Sequence, residues 1–302
     1  MTLRYDCGEV ITAMVTPMDR SGTIDYDKVE KLAKHLIANG SDAILVAGTT
    51  GECPTLTNEE ERELISTVKR AVENKAKVIL SAGSNCTTTA VDFSKNAQKE
   101  EADAILSVVP YYNKPNQRGL IEHFSTIAKS TALPIILYNI PSRTGISLEP
   151  KTVAYLASNF DNIVGIKQSF ADMDKVTEMK ILCPEDFVIY SGDDSLTLPM
   201  LSLGAHGVIS VASHLFGKEI KSMIRNFKTG ELIAARNMHK KLYPVFRDLF
   251  SAPNPIPVKA ALAYKGLIED YVRKPLVTLS EDEKIVLFKT IDKVKQDLSE
   301  EN

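Results

Sequence analysis

Short apolar segments alternate with helix-patterned stretches eight times within roughly the first 220 residues, and this rhythm limits the possible folds more than any other feature. The spacing predicts strands at 10–16, 43–47, 78–82, 104–109, 135–140, 163–167, 187–191 and 207–211. Between them, stretches such as 25–39, 58–73 and 117–130 place apolar residues at helical intervals beneath charged faces. Strands joined by helical crossovers pair in parallel, and eight is the number that closes as a (β/α)8 TIM barrel. A doubly wound open sheet is the competing arrangement. Its Gly-x-Gly-x-x-Gly turn is missing after the first strand, where Thr16-Pro17-Met18 stands instead.

After Val211 only helical patterns remain, at 218–227, 230–250, 258–268 and 280–298. The first completes the barrel and the others form an extension. The expected division is a catalytic barrel over 1–228 and a C-terminal helical domain over 229–302. Residues 252–257, Ala-Pro-Asn-Pro-Ile-Pro, make a rigid break between two of these helices. The apolar spacing of Leu242, Val245, Phe246, Leu249 and Phe250 predicts burial.

A formal net charge of −3 over 302 residues gives no electrostatic reason to expect nucleic acid or an anionic membrane as a partner. No apolar run approaches the roughly 18–20 residues of a spanning helix, and no apolar signal core opens the chain. Cys7, Cys53, Cys86 and Cys183 are scattered without a Cys-x-x-Cys pair, so neither disulfides nor zinc are expected and a reducing cytoplasm is the simplest home. Cys53 and Cys86 read as ordinary buried or half-buried thiols.

In a parallel barrel the C-terminal ends of all strands open on one face, where reactive groups gather. The second strand leads into Gly48-Thr49-Thr50-Gly51-Glu52 and the fourth into Pro110-Tyr111-Tyr112-Asn113. The fifth holds Tyr138 just before Pro141-Ser142-Arg143-Thr144-Gly145, the sixth ends at Lys167, and the seventh at Ser191-Gly192-Asp193-Asp194. Each piece has a duller explanation: a tight turn, interface aromatics, a core tyrosine, a solvated arginine, a strand-end lysine paired with a carboxylate. Their convergence on one mouth is what makes them a candidate site. Asp193-Asp194 reads as a helix cap, not a metal site, and would repel a phosphate.

A lysine at the end of a buried strand is desolvated, which lowers the pKa of its ammonium and frees a nucleophilic amine for carbonyl chemistry. Imine formation then needs protons moved to expel water from the carbinolamine. Tyr138 is placed to carry them, with Thr49 and Tyr112 as outward relays. The N–H groups and hydroxyl of the Thr-Thr-Gly turn would hold the carboxylate of a 2-oxo acid, and Arg143 would clamp a second carboxylate. Competing chemistries lack their parts: there is no His-x-His, no His-Glu-x-x-His, no phosphate-binding Gly-rich loop and no Gly-x-Ser-x-Gly.

These motifs, with Gly165-Ile166-Lys167 and Gly207-Val208-Ile209-Ser210, resemble the dihydrodipicolinate synthases, within the class I pyruvate-dependent aldolases that include N-acetylneuraminate lyase. The likeness runs from about residue 8 into the C-terminal helices. It implies a lyase that condenses pyruvate with aspartate 4-semialdehyde in lysine and diaminopimelate biosynthesis, with no metal or organic cofactor. By position it makes Lys167 the Schiff-base lysine and Tyr138, Thr49 and Tyr112 the proton relay, Tyr112 reaching in from a neighbouring subunit of a homotetramer. Thr50 would hold the pyruvate carboxylate, Gly192 and Ile209 would line the pocket through backbone groups, and Arg143 would bind the second substrate. Thr-Thr and the arginine distinguish this pattern from that of the sialic acid lyases. Sugar-acid aldolases of the superfamily, and a non-catalytic 2-oxo-acid sensor, are the alternatives. The chain departs from the lysine-inhibited members at Cys53-Pro54, Asn58, Glu61 and Thr89. Without an anion at Thr89, and with Glu61 set to repel a carboxylate, lysine is expected to inhibit weakly or not at all.

Overall fold

The computed structural model describes residues 3–300. Among these, eight strands occur: β1 (Val10–Ala13), β2 (Ala43–Val46), β3 (Lys77–Ser81), β4 (Ala104–Val108), β5 (Ile135–Asn139), β6 (Ile163–Gln168), β7 (Val188–Ser191) and β8 (Gly207–Ser210). They form a closed barrel in the order β1 to β8, and every registered pair of neighbouring strands is parallel. The predicted (β/α)8 class is therefore the observed one. Strand residues are almost all buried, as parallel strands covered on both faces must be.

The chain divides into two compact units. One takes in the chain up to Glu9 and Lys77–Ile209; the other takes in Val10–Ala76 and the chain from Ser210 onward.

In the first unit β3 to β8 pair in sequence order. One irregularity in this unit matters for function. Between Ile135 and Ile136 the β5–β6 register advances by one residue, so that Ile135 faces Ile163 but Ile136 faces Gly165. Because side chains alternate faces, that single extra residue in β6 decides which of them point together. It sets Tyr138 level with Lys167. On its other side Gly165 lets β6 and β7 approach closely, since a Cβ there would lie 2.4 Å from Val188 Cγ2 and 2.8 Å from the Val188 carbonyl oxygen.

In the second unit the helix Tyr26–Ala38 buries Val29, Leu32, Ala33 and Leu36, the i, i+3, i+4, i+7 stripe of an amphipathic helix. Asp25 caps it by accepting from Lys28 N. Thr57 and Glu60 form a capping box at the start of Asn58–Val72, and Ser280 and Glu283 form another at Glu281–Ser299. Helices follow β8 at Ser213–Lys228, Leu232–Asp248, Ile256–Tyr264 and Glu281–Ser299. The third starts earlier than its sequence pattern suggests, inside the Pro-rich break, because Pro257 occupies the first turn, where a missing N–H costs nothing. It stops at Tyr264, just ahead of Gly266 with φ +72°. Leu242, Val245, Phe246 and Leu249 are buried as expected, whereas Phe250 is exposed. Among the described residues no helix is long and apolar enough to cross a membrane.

Candidate active site

In the first unit Lys167 and Tyr138 lie side by side on adjacent strands, with the Lys167 Nζ 4.4 Å from the centre of the Tyr138 ring. Both are buried, at 7% and 6% exposure. An amine against the face of a phenol ring, with the phenol itself a proton donor and acceptor, is the pairing that imine chemistry needs. Gly192 closes in beside them: a Cβ there would fall 1.8 Å from Ser169 Oγ and 3.1 Å from Lys167 Cε. Any side chain at this position would have to displace Ser169. The Gly192 N–H is held by the Gln168 carbonyl at 2.8 Å, and Ile209 is fully buried in β8.

Ser169, two residues after Lys167, is a site residue that the sequence reading missed. Its Oγ is buried and has no hydrogen-bond partner among the described residues. A hydroxyl carries no sequence signal of this kind; only its position against Gly192 exposes it.

Asp193 corrects an expectation. It stands at the cap position of the short turn Asp194–Leu196, yet its side chain makes no capping bond. Burial raises its pKa, and the nearby Lys167 charge acts in the opposite direction. Burial is the larger of the two effects, and no capping bond ties this carboxyl to the helix end. Arg143 sits in the four-residue helix Pro141–Thr144, which ends on Gly145 with φ +75°; its side chain is exposed.

Tyr112 is 90% exposed and is held at φ +70°, a left-handed conformation that a tyrosine rarely adopts. The loop around it is fastened by Asn113, whose Nδ2 donates to the Asn85 carbonyl at 2.8 Å.

In the second unit the Gly48–Glu52 turn carries Thr49 and Thr50. Ala47 and Glu52, at its two ends, both have positive φ, 52° and 60°. Thr50 is buried, and its Oγ1 accepts a hydrogen bond of 2.9 Å from Asn254 Nδ2. Glu52 is buried as well; its carboxylate accepts from Lys259 Nζ and, at 2.9 Å, from the Arg273 N–H. The Lys259 ammonium is fully buried and also donates to the Tyr271 carbonyl at 2.9 Å. Desolvation pushes its pKa down and the Glu52 charge opposes that. Neither Asn254 nor this ion pair was legible in the sequence.

Two further residues behave differently from their sequence reading. Burial pushes the Glu61 carboxyl up to about 7, so it is not the fixed anion that the sequence suggested. All four cysteines are free, but Cys86 is exposed, and hydrogen bonds with Thr89 lower its pKa. His214, just past β8, is wholly buried and committed on both ring nitrogens, to the Val15 N–H and the Val211 carbonyl.

Comparison with known proteins shows the family to which the chain belongs. The sequence profile of the Dihydrodipicolinate synthetase family matches residues 6–294. The chain is 50% identical over 272 residues to the 4-hydroxy-tetrahydrodipicolinate synthase of Desulforamulus reducens, a match covering 90% of this chain and 92% of that protein. It is 46% identical over 287 residues to the enzyme of that name from Bacillus subtilis, covering 95% and 99%. Among solved structures, DHDPS from Cyanidioschyzon merolae with lysine bound superimposes with a TM-score of 0.94 at 45% identity, covering 96% of this chain and 98% of that one. The synthase of Methylacidiphilum fumariolicum gives 0.95 at 44% identity, covering 98% of each chain. A profile match over nearly the whole length, together with relatives at half identity, places this chain in the Dihydrodipicolinate synthetase family.

Proposed function

We propose that the chain condenses pyruvate with aspartate 4-semialdehyde to give 4-hydroxy-tetrahydrodipicolinate, through an imine on Lys167. The observation that most supports this reading is the Lys167–Tyr138 pair, buried and set side by side by the β5–β6 register. The amine of Lys167 attacks C2 of pyruvate. Tyr138 moves the proton that lets the carbinolamine lose water, and Thr49 and Tyr112 pass protons to and from solvent, Tyr112 serving the site of a neighbouring subunit. Loss of a C3 proton turns the imine into an enamine, whose carbon attacks the aldehyde. The amino group of the semialdehyde then attacks the imine carbon, closes the ring and releases Lys167.

In this reading the Thr50 hydroxyl holds the pyruvate carboxylate, backbone groups of Gly192 and Ile209 line the pocket, and Arg143 receives the carboxylate of the semialdehyde. Asp193 favours the cationic iminium as it forms. Every charge and proton in the cycle is supplied by side chains, without a metal or organic cofactor. Residues 1–228 serve as the catalytic barrel and residues 229–302 as a helical domain, in a cytoplasmic homotetramer built as a dimer of dimers.

Borohydride trapping tests the reading. With pyruvate, mass spectrometry of the wild type should find a reduced pyruvyl adduct on Lys167, absent from Lys167→Ala. Adding aspartate 4-semialdehyde should deplete the adduct as cyclic product appears. An adduct indifferent to the semialdehyde would redirect the assignment to a sugar-acid aldolase, and no adduct at all would end the imine mechanism.

A further inference from the structure

The Thr50 hydroxyl has one proton to give, and the contact with Asn254 determines how it is used. Asn254 Nδ2 donates to Thr50 Oγ1 at 2.9 Å, so the oxygen is engaged as an acceptor and its own O–H is left to donate elsewhere. We propose that Asn254 is a positioning residue that fixes the buried Thr50 hydroxyl as a donor to the carboxylate of the 2-oxo-acid substrate. This rests on the role given to Thr50 above, and adds a residue more than two hundred positions away that makes the role possible.

The surrounding contacts make this more than an incidental bond. Asn254 lies two residues before the helix Ile256–Tyr264, and that same helix supplies Lys259 to Glu52 at the other end of the same turn. The turn is thus gripped at Thr50 by an amide just ahead of this helix and at Glu52 by a buried ammonium on it. A third hold comes from Arg273, whose N–H binds the second Glu52 oxygen at 2.9 Å. The Arg273 guanidinium is itself anchored to Glu60 and to the carbonyls of Gly22 and Thr55. A turn with left-handed residues at both ends relaxes unless its surroundings hold it. Here they do, and the hydroxyl they orient is the one assigned to substrate.

The test is a double-mutant cycle read in steady-state kinetics. Thr50→Val should raise the KM for pyruvate by about 10-fold or more, as expected for a lost hydrogen bond to a charged group. If it does not, the role of Thr50 itself is wrong and this proposal falls with it. With Thr50 intact, Asn254→Leu, near in size but unable to donate, should raise the pyruvate KM by roughly 5-fold or more. Its kcat and its KM for the semialdehyde should change much less. In the Thr50→Val background the same substitution should leave the pyruvate KM within about 2-fold. A wild-type pyruvate KM in Asn254→Leu, or an equal rise with and without Thr50, overturns the proposal. Should Asn254→Leu not fold, Asn254→Ala takes its place in the cycle, and the same two results would overturn the proposal.

Discussion

Gly192 shows how tightly single residues are specified around Lys167. A methyl group at this position would overlap Ser169 Oγ at 1.8 Å and Ser169 Cβ at 2.9 Å, while the 3.1 Å contact to Lys167 Cε involves only the far end of a flexible chain. The cost of Gly192→Ala therefore falls on Ser169 and, through the end of β6 that it follows, on the orientation of the lysine. The rate of pyruvate-dependent adduct formation should drop by about 100-fold, the scale of loss when a reacting group is misplaced by an ångström. Adding Ser169→Gly removes both severe overlaps and should recover part of that loss. Equal trapping rates in Gly192→Ala and wild type would mean that the strand ends yield more easily than this packing implies.

At the scale of elements, two features place the reactive groups: the β5–β6 register shift and the clamp on the Gly48–Glu52 turn. The clamp makes a stability prediction. Removing one partner of a buried ion pair leaves the other charge unpaired, so Lys259→Met should destabilise the fold by about 3–5 kcal/mol. The pair replacement Glu52→Gln with Lys259→Met should cost clearly less, because no lone charge remains. Urea unfolding midpoints of the two variants check this, and a double variant less stable than Lys259→Met would refute it. The same two features explain what was legible in the sequence. The eight strands could be read because parallel strands are apolar throughout, although several ends were placed one to three residues too far, as at Thr16 against Ala13. Lys167 and Tyr138 could be read because strand ends in such a barrel share a face. Their registration could not, since one extra residue in β6 leaves the apolar pattern unchanged. Asn254, Lys259 and Arg273 were hidden for another reason: they reach Thr50 and Glu52 across more than two hundred residues, where no local spacing rule operates.

For the whole molecule, Tyr112 is the residue that a single chain does not explain. A tyrosine that is 90% exposed, held at φ +70° in a fastened loop, spends backbone strain on presenting an aromatic hydroxyl outward. Neighbouring Tyr111 is also exposed, at 42%, so the strand-four end displays two aromatic rings together. If Tyr112 completes the relay of an adjoining subunit, each site needs Lys167 from one chain and Tyr112 from another. Subunit mixing then distinguishes sharing from self-sufficiency. Lys167→Ala and Tyr112→Phe homo-oligomers should each be severely impaired. Unfolding and refolding them together in equal amounts should produce pairs in which one site has an intact lysine and receives an intact tyrosine. With random pairing across an isologous interface, activity should return to about one quarter of the wild-type value. Recovery near that level, absent when the proteins are mixed without dissociation, is the expected result. If refolded mixtures stay at the average of the two parents, Tyr112 serves its own chain and the site is complete within one subunit.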